Sequence, residues 1–185
     1  MKITKHGFTL IEALVVVLII GILAAIAIPY YKRSVYMVRF NSVRQWVDQL
    51  AQAQEVYYLA NGSYARDLTA LDVTFPKECT LEFHDTWDYD VVECPDTRIH
   101  HSRGYRGFTA FIKKCPIKYY TDDKCVAYVK PFQNHHALMG SGPNCSFGTN
   151  TTDGTERGKF ADKVCRALGG EPYNTGWGIR YLLPN

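Results

Sequence analysis

Residues 8–28 read FTLIEALVVVLIIGILAAIAI and hold a single ionisable side chain, Glu12. As a helix this run is long enough to cross a hydrocarbon core of about 30 Å. A short basic segment, MKITKHG, stands ahead of it. A secretory signal is cut after its apolar stretch at a small-residue site. Here AAIA at 24–27 lies at the end of a long span, and the chain runs on through Ile28 and Pro29 into an amphipathic pattern. A retained anchor fits that layout better than a removed signal. Lys2 and Lys5 precede the span, whereas Lys32, Arg33, Arg39 and Arg44 follow it. The positive-inside count therefore does not orient the chain.

The cysteines do. Cys79, Cys94, Cys115, Cys125, Cys145 and Cys165 all lie beyond the span. None forms a C-x-x-C pair, so zinc-ribbon and thioredoxin-like readings have little support. An even number on one side of a membrane span reads as disulfides in an oxidising compartment. The C-terminal domain is expected outside the cytoplasm.

Glu12 is the sharpest feature. A carboxylate in a span costs about 2.5–3.5 kcal/mol on insertion scales, and such residues usually serve a function. A cut after Gly7 would make the α-amino group of Phe8 a second buried charge. A carboxylate on another subunit would neutralise it.

Gly7-Phe8-Thr9-Leu10-Ile11-Glu12 and the apolar run behind it resemble the prepilin cleavage and methylation motif of type IV pilins and type II secretion pseudopilins. The likeness is dense over residues 7–31 and looser to about residue 76. It implies that a prepilin peptidase cuts between Gly7 and Phe8 and N-methylates Phe8. It implies that Glu12 is the acidic assembly residue, and that Gly21 and Pro29 are helix-weakening positions.

The pattern turns amphipathic over residues 30–59. Val35, Val38, Val43, Trp46, Val47, Leu50, Ala53 and Val56 recur mostly at three or four, the stripe of a helix packed on one side. One helix over residues 8–59 would reach about 78 Å at about 1.5 Å per residue. Asn61-Gly62 is expected to end it, with Gly62 in the left-handed cap conformation. Tyr64, Leu68 and Leu71 then anchor an irregular segment ending at Pro76.

Beyond Pro76, strand-like segments at 80–83, 87–92, 108–112, 126–129 and 178–183 predict an antiparallel sheet of about four or five strands. Residues 161–168 predict a short helix stopped by Gly169-Gly170. Residues 134–158 read as a long exposed loop. The fold class is α+β: a leader (1–7), an apolar helix half (8–29), an amphipathic half (30–60) and a disulfide-stapled β-rich head (61–185).

Six cysteines allow many pairings, and sequence alone does not choose among them. The sequential set is expected: Cys79–Cys94, Cys115–Cys125 and Cys145–Cys165. The loop bounded by the last pair resembles the disulfide-bounded C-terminal region of type IV pilins; the two additional pairs depart from many of them.

No metal, cofactor or catalytic set is expected. His100-His101 and His135-His136 lack an i, i+4 partner and read as exposed loop residues. Asp122-Asp123 and Asp153-Gly154-Thr155-Glu156 lack the EF-hand spacing. Ser141 sits in Gly-Ser-Gly, not G-x-S-x-G. The thirteen tyrosines suit sheet and filament packing better than a sugar-binding patch. The net charge of +3 includes Lys2 and Lys5, so the trimmed chain is nearly neutral and nucleic acid is not implied as the main partner.

The expectation is a structural pilin that polymerises with itself and with minor pilins. It would sit as a single-pass protein in the inner membrane before assembly and in an extracellular filament afterwards. With no Walker A motif in the chain, assembly energy falls to a separate ATPase on an inner-membrane platform. The rivals are a type II secretion pseudopilin of the same fold and a signal-anchored periplasmic binding or enzymatic domain. A plain anchor needs neither Glu12 nor the Gly7-Phe8 site.

Overall fold

The computed structural model describes residues 9–84, 89–102, 107–113, 126–133, 142–146, 156–174 and 179–184. Its contacts divide the chain into two units, Met1–Val38 and Arg39–Asn185.

A single helix, α1 (Leu10–Asn61), enters both units and continues through Gly21 and Pro29. Pro29 has no N–H, so the carbonyl of Ala25 loses its intrahelical donor, yet the helix does not stop there. It ends where Gly62 takes φ +72° and its N–H donates to the Tyr58 carbonyl at 2.8 Å. Only a residue without Cβ adopts that conformation without strain.

In the second unit, α1 buries Phe40, Val47, Leu50, Ala51 and Gln54. Their spacing follows one helix face. Val38 and Val56, expected on the buried stripe, are instead 67% and 68% exposed. Val56 lies nine residues from Val47, which at about 100° per residue is half a turn off the buried line.

The strands are β1 (Thr80–His84), β2 (Tyr89–Glu93), β3 (Thr97–Ser102), β4 (Gly107–Ile112), β5 (Ala127–Pro131), β6 (Asn144–Ser146), β7 (Glu171–Asn174) and β8 (Ile179–Leu182). Among the described residues they form one antiparallel sheet in the order β1-β2-β3-β4-β5-β6-β8-β7. The expected α+β class holds, but the sheet is wider than the four or five strands anticipated. β3 carries Arg98, His100 and His101 and reads as polar; β6 is three residues long; β7 is an edge strand containing Pro172, which edges tolerate.

Register sets the core. Val92, Ile99, Ala110, Tyr128, Cys145 and Tyr181 are aligned across six strands, and each is nearly inaccessible. α1 packs on this row: Phe40 meets Tyr128 edge-on at 6.2 Å, and the Tyr128 hydroxyl donates to Asp48 at 2.7 Å. The short helix α2 (Glu156–Ala167) is fixed to the same row by the Cys145–Cys165 bond and by the Tyr181 hydroxyl, which donates to Asp162. It starts earlier than expected, so residues 134–158 are not a single loop: β6 and the first turn of α2 lie inside that stretch. Gly169 (φ +79°) closes α2, with the Gly170 N–H donating to the Cys165 carbonyl and the Gly169 N–H to the Arg166 carbonyl, both at 3.0 Å.

Candidate assembly helix

The first unit is defined by what it leaves uncovered. Leu10, Ile11, Leu14, Val17 and Leu23 are 81%, 70%, 56%, 64% and 60% exposed. The helix is long and apolar enough to cross a membrane, and none of its most apolar window is buried within the chain. A soluble surface does not carry so continuous an apolar patch; it belongs against lipid or against other helices.

Glu12 stands at the start of this surface, and the local sequence places it there. Thr9 is the residue just before α1. Its Oγ1 accepts from the Glu12 N–H at 3.3 Å, and the Glu12 carboxylate accepts from the Thr9 N–H at 2.8 Å. The Thr9 hydroxyl also donates to the same carboxylate oxygen at 2.6 Å. This is a capping box, in which each residue's side chain accepts from the other's otherwise orphan backbone N–H at the helix start. Thr9 was not anticipated as a site residue, although Thr-x-x-Glu before an apolar run announces it. The box orders the first turn and fixes the carboxylate at the helix start, where the exposed N–H groups favour negative charge.

Gly7 and Phe8 lie outside the described residues. So do Cys115, Cys125, His135, His136, Asp122, Asp123, Ser141 and Asp153–Thr155. Cys79 is bonded to Cys94, and Cys145 to Cys165. His100 and His101 are not in an exposed loop. They lie on β3, His101 fully buried and His100 half-buried, because β3 alternates inward and outward. Among the described residues no group of three or more His, Cys, Asp or Glu is placed to hold a metal ion.

A profile of the prokaryotic N-terminal methylation motif matches residues 3–28. The N-terminal region is similar to that of type IV pilins. It is 43% identical over 67 residues to the type IV major fimbrial protein FimA of Dichelobacter nodosus, covering 36% of this chain and 42% of that protein. It is 33% identical over 76 residues to the type IV major pilin protein PilE1 of Neisseria gonorrhoeae, covering 41% and 46%. It is 38% identical over 65 residues to the type IV wide pilus major component PilA4 of Thermus thermophilus, covering 35% and 50%. The chain thus spans half or less of the length of these curated relatives. No solved structure matches it significantly. The methylation-motif match includes the Thr9–Glu12 box and the exposed apolar face together, and it falls within the first unit.

Proposed function

We propose that the chain is the structural subunit of a type IV pilus, built into a helical filament through α1. The observation that carries this reading is the pairing of an uncovered apolar helix with one carboxylate held at its start. Lipid satisfies the apolar side chains before assembly, and neighbouring copies of α1 satisfy them afterwards. Neither environment satisfies Glu12 by itself.

In this reading a prepilin peptidase cuts between Gly7 and Phe8 and methylates the new Phe8 amine. That cation then meets Glu12 of a neighbouring subunit. Pairing in a low-dielectric core offsets the desolvation of both groups and sets the axial register, since any other offset leaves a charge alone. The second unit, with its disulfides, lies on the periplasmic side before assembly and on the filament surface afterwards. Self-polymerisation, minor pilins and an ATPase-driven platform in the inner membrane complete the machinery. Gly21 and Pro29 let the helix loosen to fit the bundle.

Intact mass of the protein from cells with active prepilin peptidase tests the first step. The expected mass lacks Met1–Gly7 and carries one added methyl group. A mass that retains the leader overturns the proposal.

A further inference from the structure

The second unit buries a titratable chain that filament assembly does not use. Asp90 on β2, His101 on β3 and Gln54 on α1 are all inaccessible to solvent. The Gln54 side chain grips the backbone of Ala65 at two points. Its Oε1 accepts from the Ala65 N–H at 2.9 Å, and its Nε2 donates to the Ala65 carbonyl at 3.1 Å. Turning the amide over would set donor against donor and acceptor against acceptor, so Ala65 fixes its orientation.

That orientation fixes the histidine. Gln54 Nε2 lies 2.9 Å from His101 Nε2 and has a second N–H to give, so His101 Nε2 accepts. The ring proton is then on Nδ1, which lies 3.3 Å from Asp90 Oδ2. A second proton on the ring has only Nε2 to occupy, and there it would meet the Gln54 N–H. The rest of the ring is walled by Phe108 from β4 and Phe132 beyond β5, with centroids 5.1 and 6.1 Å away. Of the charged side chains nearby, Lys130 pairs with Asp48 at 3.3 Å, and Glu55 accepts from the Tyr64 hydroxyl and the Gln133 N–H. Asp90 is the charged group in direct contact with the ring among the described residues.

We propose that Asp90, His101 and Gln54 form a proton-sensitive latch on the segment that follows α1. With His101 singly protonated, Gln54 holds Ala65. A proton arriving at Nε2 forces the Gln54 amide to turn or withdraw, and both hydrogen bonds to Ala65 break. His101 keeps its bond to Asp90 as an ion pair, so β2 and β3 stay joined while the segment opens at Ala65. Histidine is the side chain suited to such switching between about pH 5 and pH 8.

The test uses the full-length chain in detergent micelles, with long-range proton–nitrogen NMR of the imidazole and amide hydrogen exchange. At pH 7.5 the ring is expected as the Nδ1–H tautomer. On lowering the pH to about 5, Ala65 protection, corrected for intrinsic rate, is expected to fall about ten-fold or more as the ring gains its second proton. His101→Asn, which retains a donor toward Asp90 but does not titrate, is expected to lose that dependence. Should this variant not fold, the wild-type tautomer and the coincidence of the two wild-type transitions decide. An Nε2–H or doubly protonated ring at pH 7.5, Ala65 protection that does not change across the range, or the same fall in His101→Asn overturns the latch.

Discussion

Leu14 and Leu50 are the same side chain in the same helix, and they meet opposite fates. Leu14 is 56% exposed and Leu50 1%. Leu50 lies on the buried face of α1, where the polar groups have named partners: Asp48 with Tyr128 and Lys130, Gln54 with Ala65 and His101. Leu14 stays more than half exposed among the described residues, and the one charge nearby, Glu12, hydrogen-bonds to Thr9. The second unit completes its own core. The first leaves its apolar side chains exposed among the described residues. Stability experiments should therefore read out the second unit, and assembly experiments the first.

The largest blow to the second unit should come from Gly107→Ala. Gly107 sits at φ +126°, and a Cβ there would stand 2.1 Å from the Lys130 carbonyl oxygen, a backbone atom with no room to yield. A cost on the order of 4 kcal/mol or more is expected, in the range reserved for backbone strain and overpacking. Thermal unfolding followed by near-ultraviolet dichroism should show it, while membrane insertion of the first unit is unchanged.

Removing a staple should cost less. Replacing Cys145 and Cys165 together by serine opens a loop of 20 residues' separation that joins β6 to α2. The expected loss is about 3 kcal/mol, read from denaturant unfolding. A loss of the same size in membrane-fraction level would show that the units are not separable in this way.

Acid should act more mildly still. Burial pushes the Asp162 carboxyl up, but the Tyr181 hydroxyl and the Arg166 guanidinium outweigh it and hold it below the usual carboxylate range. Glu93 behaves alike: burial raises it, and Arg98 and Lys113 bring it down further. Groups lowered in the folded state stabilise above the unfolded value, and that contribution is lost as pH falls through the folded one. Stability should thus decline below about pH 4 from these two sites. Tyr181, pushed up to about 12 by burial and by its bond to Asp162, keeps its proton throughout. Tyr181→Phe should cost about 1 kcal/mol at neutral pH and flatten part of the acid decline. An unchanged acid profile would remove Asp162 from the account.

Sequence reading was strongest where one local pattern decides the outcome. The apolar run, the Gly62 stop and the Gly169-Gly170 stop need only neighbouring residues to be read. It was weaker where partners come from afar. His101 resembled a loop residue because the Asp90 and Gln54 that make its burial tolerable are 11 and 47 positions away. β3 was hidden because Arg98, His100 and His101 give it a polar surface reading, while its inward-facing His101 is satisfied by those distant partners. Val56 followed the helical spacing but missed the buried line, which the position of the sheet decides. Thr9 is a different case: its box is local and legible in Thr-x-x-Glu directly before an apolar run.

The capping box makes the central claim separable from helix folding. Glutamine serves at that box position as glutamate does, so Glu12→Gln keeps the first turn but carries no charge, whereas Glu12→Leu loses both. The decisive measurement is the yield of sheared surface filaments from cells expressing each variant, normalised to membrane-fraction level and with N-terminal mass checked. Both variants should insert, be processed and keep the second unit folded, and both should give few or no filaments. Normal filament yield from Glu12→Gln, with only Glu12→Leu impaired, would contradict charge pairing and reduce Glu12 to the helix cap it forms with Thr9.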